Sequence, residues 1–310
     1  MGRLSDWWRL RTLARERQCY APADWAAAWG ALPLLAGLNP DQSARLIDLA
    51  LLFLRDKRIE PVQGLVLTAA MRLTIALQAC LPILELGLDW YRGWYAVILY
   101  PDAFIPGHEY TDADGMVRVD DRVKGGEAWE RGPVILSWAD VVAGCELDGY
   151  NVVVHELAHK LDMRNGGANG CPPLHGDMSS EAWSRDWSAA FADLGRRVDA
   201  GEETPLDPYG AESPGEFFAV ASEAFFEIPG LLHDAYPAVY VQLQAFYRQD
   251  PLARLGAGAC VPGALSSCPH GGCGNLGTLP QTMAKYVGEV GLDRQQPRPD
   301  IHDRSVRHPI

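Results

Sequence analysis

The side chains best suited to chemistry lie in residues 151–166, which read NVVVHELAHKLDMRNG. Positions four apart in a helix lie one turn above each other on the same face, so a helix here would present the imidazoles of His155 and His159 to one metal ion. Glu156 would be rotated by about 100° from His155, which keeps its carboxylate off the ion and close to a water bound there. This H-E-x-x-H spacing favours a metal site that activates water over a core helix with two hydrogen-bonded histidines.

Such a site needs a third protein ligand and one position left open for water. The strongest source is DPYGAESPGEFFAVASEAFFE, residues 207–227, where a helix predicted to start at residues 213–214 places Glu216 in its first turn. The same Ser-x-x-Glu spacing would also form a capping box, in which that glutamate bonds the backbone instead of a metal. Glu212 and Glu223 therefore remain alternatives for the third ligand.

Other potential ligands lie beside the motif and near the carboxyl terminus. Asp162 follows His159 by three residues on the same helical face, about 4.5 Å further along the axis. We expect its carboxylate to orient a ligand imidazole or to pair with Arg164, and not to bind the metal. The potential ligands of the carboxyl-terminal segment, whose spacing matches no common zinc site, are Cys260, Cys268, His270 and Cys273.

Helices and strands must position these side chains. Asn39 before Pro40 predicts the start of an amphipathic helix, and Thr68 caps a second predicted helix that runs to about Leu84. Further helices are predicted over residues 181–200, 214–228 and 236–249. Short apolar runs bounded by Gly and Pro predict strands, namely WYAVILYP at 94–101 and PVILSW at 133–138.

The strand predicted at 133–138 has two interpretations. It lies shortly before the metal-binding motif, so it could be an edge strand that pairs with an extended peptide through main-chain hydrogen bonds. It could equally be an ordinary core strand. The sequence leaves both open.

Composition excludes several classes of protein. The chain has 310 residues, 48% of them hydrophobic, and a formal net charge of −13, which disfavours a nucleic-acid-binding surface. Its amino terminus lacks the apolar core of a secretory signal, and its most apolar window, residues 74–88, is too short to cross a bilayer. We therefore expect a cytoplasmic protein that does not bind membranes.

Three segments carry a resemblance to a known family: HELAHKLDMRNG, DPYGAESPGEFFAVASEAFFE and YPAVYVQLQAFYRQDPL. Together they resemble the bacterial zinc peptidases of the Mlc titration factor A family, which are related to the catalytic domain of anthrax lethal factor. Residues 71–104 and 172–183 are similar to the same family. The resemblance implies an α+β, mostly helical, zincin-like domain over 1–255, with a helical part at 1–90 and a catalytic part at 91–255. Residues 256–310 depart from the family pattern and are predicted to be a flexible tail.

The resemblance also implies a site and an activity. It implies a gluzincin centre with one zinc ion on His155, His159 and Glu216, Glu156 as general base, and Tyr209 as a donor to the oxyanion. The implied substrate is a peptide, with an aminopeptidase-like preference. The chain lacks the G-x-M-E-N stretch of the large gluzincin aminopeptidases, which leaves Glu212 and Glu223 as possible anchors for a substrate amine.

The same resemblance implies an alternative function. Titration factors of this type are named for sequestering a transcriptional repressor, so the chain could be a regulatory binding protein with a repressor of the Mlc type as partner. Its peptidase activity would then be secondary. The glutamate beside the first histidine argues against a purely structural zinc, which usually has four protein ligands.

Overall fold

The computed structural model describes residues 13, 15–104, 109–111, 117–119, 124–129 and 132–256. Almost all of the predicted tail, including its cysteines and His270, lies outside these residues. The predicted tail and the predicted domain boundaries therefore stay predictions.

Helices make up most of the described chain. They are α1 (Pro22–Gly30), α2 (Pro40–Asp56), α3 (Ala69–Cys80), α4 (Trp138–Ala143), α5 (Val152–Asp162), α6 (Ser180–Ala200), α7 (Pro214–Glu227), α8 (Pro229–Ala235), α9 (Pro237–Tyr247) and α10 (Pro251–Gly256). Short 3₁₀ turns occur at Pro33–Leu35, Leu88–Tyr91, Met163–Asn165 and Pro208–Ala211. No described helix is long and apolar enough to cross a membrane.

The predicted helices form with small differences in their ends. Asn39 caps α2 by accepting a hydrogen bond from the Gln42 amide, as predicted. Helix α3 ends at Cys80 and not near Leu84, because Pro82 has no N–H with which to continue the helical hydrogen bonds. The sequence did not predict α8, which fills the gap between the predicted helices at 214–228 and 236–249.

Six short strands form two sheets in the part of the chain that the structure describes. They are β1 (Arg58–Pro61), β2 (Ala96–Tyr100), β3 (Glu109–Thr111), β4 (Val117–Val119), β5 (Gly126–Ala128) and β6 (Val134–Ser137). Strands β3 and β4 form a separate antiparallel pair. The larger sheet has the order β1-β2-β6-β5, with β5 antiparallel to β6 and the other pairs parallel. The fold is thus mostly helical with a small mixed sheet, as expected.

The edge-strand interpretation of residues 133–138 is wrong. Strand β6 pairs with β2 on one side and β5 on the other, and all four of its residues are buried. Its unbroken apolar run is what a strand covered on both faces requires. Among the described residues, the two edge strands of this sheet are β1 and β5. The residues of β5, Gly-Glu-Ala, show no strand-like apolar pattern.

The core surrounds the metal-binding motif. Helix α5 buries its apolar residues almost completely, and α7 is buried along nearly its whole length. On α6, Trp183, Trp187 and Leu194 are buried and Phe191 packs against the core, which confirms the predicted apolar face. The site is therefore built on two core helices, which restrict the movement of the side chains they carry.

Candidate metal centre

Asn151 fixes the start of α5. Its side-chain oxygen accepts a hydrogen bond from the Val154 amide at 2.9 Å, as an N-cap does. Its side-chain nitrogen lies within hydrogen-bond distance of Gln78 Oε1, the Gly144 carbonyl and Glu227 Oε1. This fully buried side chain therefore joins α5 to α3 and α7.

Ser213 fixes the start of α7. Its hydroxyl accepts a hydrogen bond from the Glu216 amide at 3.2 Å, and Pro214 occupies the first helical position, where its missing N–H has no cost. The Glu216 carboxylate points towards the two histidines of α5. Among the described residues only the serine half of the capping box is present: the Glu216 amide donates to Ser213, whereas the Glu216 side chain approaches the two histidines.

Three donor atoms converge at the centre. Glu216 Oε2 lies 3.0 Å from His155 Nε2 and 3.2 Å from His159 Nε2, and the two nitrogens are 3.2 Å apart. A tetrahedral ion with ligand bonds of about 2.0–2.1 Å would separate its ligand atoms by roughly 3.3 Å. Donor type and spacing therefore fit a small divalent cation, and these residues form the candidate metal site.

Glu223 lies behind His155 and not among the converging donors. Its Oε1 is 2.8 Å from His155 Nδ1, and its other oxygen accepts a hydrogen bond from the Asn151 amide. A carboxylate on Nδ1 places the proton there and directs Nε2 to the metal. The exposed Glu212, the other alternative ligand, is not part of the cluster.

The ionisation of the ligands reflects their mutual contacts. Burial alone would raise the pKa of Glu216, but hydrogen bonds from His155 and His159 hold it well below its ordinary value. Burial would lower the pKa of His155, and Glu223 and Glu216 instead raise it well above its usual range. A metal ion would have to displace this proton, since an imidazole ligand is neutral.

Glu156 is buried beside the cluster, with 5% of its surface exposed. Burial raises its pKa to about 7, with the carboxylates of Glu216 and Glu127 adding to the effect and the two histidines opposing it. A pKa near neutrality suits a general base. Gly126 of β5 packs directly on this side chain: a Cβ at that position would lie 2.6 Å from Glu156 Oε1.

Tyr209 lies at the rim of the centre. Asp207 accepts a hydrogen bond from the Tyr209 amide at 2.8 Å and so shapes the 3₁₀ turn that carries the ring. The centroid of the ring is 6.0 Å from that of His155, and the residue is 39% exposed. The structure therefore places a partly exposed Tyr209 ring near His155.

Comparison with known proteins identifies the family. The model of the glucose-regulated metallo-peptidases M90 matches residues 5–248. The chain belongs to the M90 family. Mlc titration factor A of Yersinia pestis (strain Pestoides F) is 42% identical over 245 residues, which cover 78% of this chain and 90% of that protein. The protein of the same name from Yersinia pseudotuberculosis serotype O:1b (strain IP 31758) matches to the same extent.

The region matched to the M90 family contains all five predicted site residues. These residues lie on α5, on α7 and in the 3₁₀ turn before α7. The chain is thus a member of a metallo-peptidase family with a three-residue candidate metal site.

Neither predicted contact of Asp162 is present among the described residues. One oxygen of Asp162 accepts a hydrogen bond from the Gly170 amide at 2.7 Å, while Oδ1 and His159 Nδ1 are both buried without a hydrogen-bond partner there. Arg164 instead donates to the carbonyls of Asp89 and Trp90. The Asp162 carboxylate thus binds the backbone of the loop that follows α5. The sequence pattern could not indicate this contact.

Three contributors to the site were not predicted from the sequence. Asn151 had a detectable signal, because Asn before an apolar helical run is a common N-cap. Gly126 and Lys160 had none, since their importance depends on contacts with residues distant in sequence. Lys160, one residue after His159, donates to the carbonyls of Trp129 and Gly132.

Proposed function

We propose that this M90 family member is a zinc-dependent peptidase that hydrolyses peptide bonds with a metal-activated water. The observation that carries the proposal is the convergence of His155 Nε2, His159 Nε2 and Glu216 Oε2 beside the buried Glu156. The first three residues would hold the zinc. The bound ion would polarise the attacking water and the scissile carbonyl.

Glu156 would act as the general base. Its carboxylate would accept a proton from the attacking water as the new C–O bond forms at the carbonyl carbon. It would then pass that proton to the leaving nitrogen as the C–N bond breaks. The raised pKa of Glu156, about 7, supports both transfers near neutral pH.

Tyr209 would stabilise the negative charge that develops on the carbonyl oxygen. A hydroxyl donor aimed at the developing oxyanion lowers the barrier because the charge is larger in the transition state than in the substrate. The position of the Tyr209 ring beside His155 supports this role. The ring is partly exposed.

Strand β5 is the element best placed to hold a peptide. The ladder to β6 uses the Gly125 carbonyl, which accepts from the Ser137 amide, and the Trp129 amide, which donates to the Pro133 carbonyl. Because antiparallel ladders alternate, the main-chain groups of Gly126 and Ala128 face away from β6. They could pair with an extended peptide beside Glu156.

An aminopeptidase-like preference is part of the proposal and rests on the family resemblance. The site constrains which residue could bind a substrate amine. Glu223 is buried behind His155 and engaged by it, so it is poorly placed for this task. Glu212, which is exposed and four residues before Glu216 in the chain, is the better candidate.

Metal analysis tests the proposal directly. We expect about one zinc per chain in the wild type and in Glu156→Gln, loss of zinc in Glu216→Ala, and retention in the matched control Glu212→Ala. Peptide hydrolysis should be present in the wild type and absent from Glu156→Gln. Zinc retained in Glu216→Ala, or full activity in Glu156→Gln, would contradict the assigned roles.

The names of the relatives favour a second function. Proteins called Mlc titration factor A are 42% identical to this chain, so it could sequester a transcriptional repressor of the Mlc type. Capture of such a repressor by zinc-loaded Glu156→Gln would show that binding does not need turnover. Failure of both that variant and the wild type to bind it would reject this second function.

A further inference from the structure

An aromatic side chain lies at the end of β5. Trp129 is 44% exposed, although its main chain is firmly held. Its amide donates to the Pro133 carbonyl, and its own carbonyl accepts from the Gly132 amide, both at 3.2 Å. These hydrogen bonds hold the main chain at the end of the strand, where a large apolar ring is partly exposed to solvent.

The indole ring of Trp129 also packs against the main chain. A Cβ added at Gly132 would lie 2.9 Å from both Cβ and Cε3 of Trp129, so the indole packs closely on this glycine. One side of the indole is therefore supported by backbone. Its exposed part is the part that a ligand could contact.

Lys160 connects the main chain of Trp129 and Gly132 to α5. Its side chain is 4% exposed, and its Nζ donates to the Trp129 carbonyl and, at 2.9 Å, to the Gly132 carbonyl. The same ammonium lies 5.2 Å from the centroid of the Trp94 ring. A buried cation costs free energy unless it is well compensated. These contacts compensate the charge of Lys160. They also fix the main chain of Trp129 and Gly132 relative to α5.

The geometry points to a substrate subsite. We propose that Trp129 determines specificity by receiving an apolar side chain of the bound peptide about three residues from the scissile bond, and that Lys160 is the positioning residue that holds it. This inference rests on the proposed peptidase function and on pairing of the peptide with β5. It assigns the substrate class: peptides with a large apolar residue at that distance.

The distance follows from strand geometry. Gly126 packs against Glu156, and Trp129 follows it by three residues, about 10 Å along a strand. A paired peptide advances at the same rate, so its residue opposite Trp129 lies three positions from the residue opposite Gly126. Cross-strand neighbours place their Cβ atoms about 5 Å apart, which allows an aromatic ring to cover the neighbouring side chain.

Kinetics with matched peptides test the inference. The peptides differ only at the third residue on either side of the cleaved bond, which is Phe, Leu, Gly or Asp. For the zinc-loaded wild type we expect kcat/KM for Phe or Leu to exceed that for Gly by about tenfold or more at one of the two positions. Trp129→Ala should bring this ratio close to one, whereas Tyr95→Ala, which removes an aromatic ring 73% exposed just before β2, should leave it unchanged.

Lys160 variants separate positioning from general stability. Lys160→Met should retain zinc, raise KM for the apolar peptides more than it lowers kcat, and reduce the preference. Lys160→Arg, which restores a donor to the two carbonyls, should recover part of that preference. If Lys160→Met lowers kcat/KM equally for every peptide, and Lys160→Arg does not recover it, then Lys160 has only a structural role.

Peptide binding can be measured separately from hydrolysis in a variant that is expected not to cleave the peptide. In zinc-loaded Glu156→Gln, the Phe peptide should bind about tenfold more tightly than the Gly peptide, and adding Trp129→Ala should remove the difference. If the wild type hydrolyses no peptide but this binding difference is present, the proposed reaction fails and the subsite stands. If the difference is absent, or survives Trp129→Ala, the subsite is rejected.

Discussion

At the scale of single residues, the three candidate ligands are held unequally. Glu216 is fixed through the capped start of α7, and His155 is fixed through Glu223 on its Nδ1. His159 has no such partner for its Nδ1 among the described residues. Glu223 should therefore contribute strongly to metal affinity without touching the metal, because it orients the one imidazole that has an anionic partner.

Glu223→Gln tests this contribution. Glutamine offers only one accepting oxygen, so it cannot serve both His155 Nδ1 and the Asn151 amide, and it carries no charge. We expect zinc affinity to fall by about 10- to 100-fold, measured by competition with a chromogenic chelator. Glu212→Gln, which changes an exposed carboxylate near the site, should bind zinc as the wild type does. Equal affinity in the two variants would mean that Glu223 does not orient His155.

The residues also show what could be predicted from the sequence. His155 and His159 are four apart on one helix, so their convergence follows from helical geometry alone. Glu216 lies 61 residues from His155, and the three candidates for the third ligand could be separated only once α5 and α7 were packed together. The position of Glu223 seven residues after Glu216 puts both on one face of α7, which no local rule ties to His155.

At the scale of elements, the position of β5 depends on the absence of a side chain at Gly126. Gly126 allows the backbone of β5 to lie directly on Glu156, since even a Cβ would meet Oε1 at 2.6 Å and Cγ at 2.7 Å. Glu156 is buried, with little room to retreat. The distance between β5 and the proposed general base is thus set at this glycine.

Gly126→Ala should displace Glu156 or β5 and lower kcat for peptide hydrolysis by about tenfold or more, since a misplaced general base loses part of its contribution. Zinc content should stay near one per chain, because Glu156 is not a proposed ligand. The matched control is Gly195→Ala in α6, where a Cβ meets nothing within 4 Å and helix propensity should stabilise the protein by about 0.5–1 kcal/mol. An unchanged kcat in Gly126→Ala would show that the strand can move without consequence.

The strands also explain why sequence reasoning misplaced the edge strand. PVILSW is detectable because it is apolar, but a strand apolar at every position is one that other elements cover. Strand β5 is three residues long, begins with Gly and carries a charge, so its pattern resembles a loop. An edge strand that binds a peptide through its main chain needs no side-chain pattern, and periodicity cannot reveal it.

At the scale of the whole molecule, a buried polar layer joins α3, α5 and α7 beneath the metal site. Asn151 links Gln78 and Glu227 directly, and Glu223 continues the network to His155. Such a network orients the helices, but it retains ionisable groups in the core. Their ionisation is therefore linked to folding.

Glu227 should make the stability of the protein depend on pH. Burial raises its pKa to about 9, helped by the nearby carboxylate of Glu223 and opposed by hydrogen bonds from Asn151 and Gly149. The unfolded chain releases this proton near pH 4.3, whereas the folded protein keeps it up to about pH 9. The folded state thus binds more protons across this interval, and the free energy of unfolding contributed by Glu227 falls as pH rises from about 4.5 to 9.

Urea unfolding at pH 5.5, 7.0 and 8.5 would measure this dependence. Glu227→Gln cannot titrate, so its free energy of unfolding should gain on that of the wild type at each step towards pH 8.5, whatever constant cost the lost acceptor adds. Glu181→Gln, at an exposed position in the first turn of α6, controls for the change in net charge and should run parallel to the wild type. Parallel curves for Glu227→Gln and the wild type would mean that the buried carboxyl ionises in the folded protein as it does in the unfolded chain. The layer beneath the metal site would then carry a permanent charge that its hydrogen bonds fully stabilise.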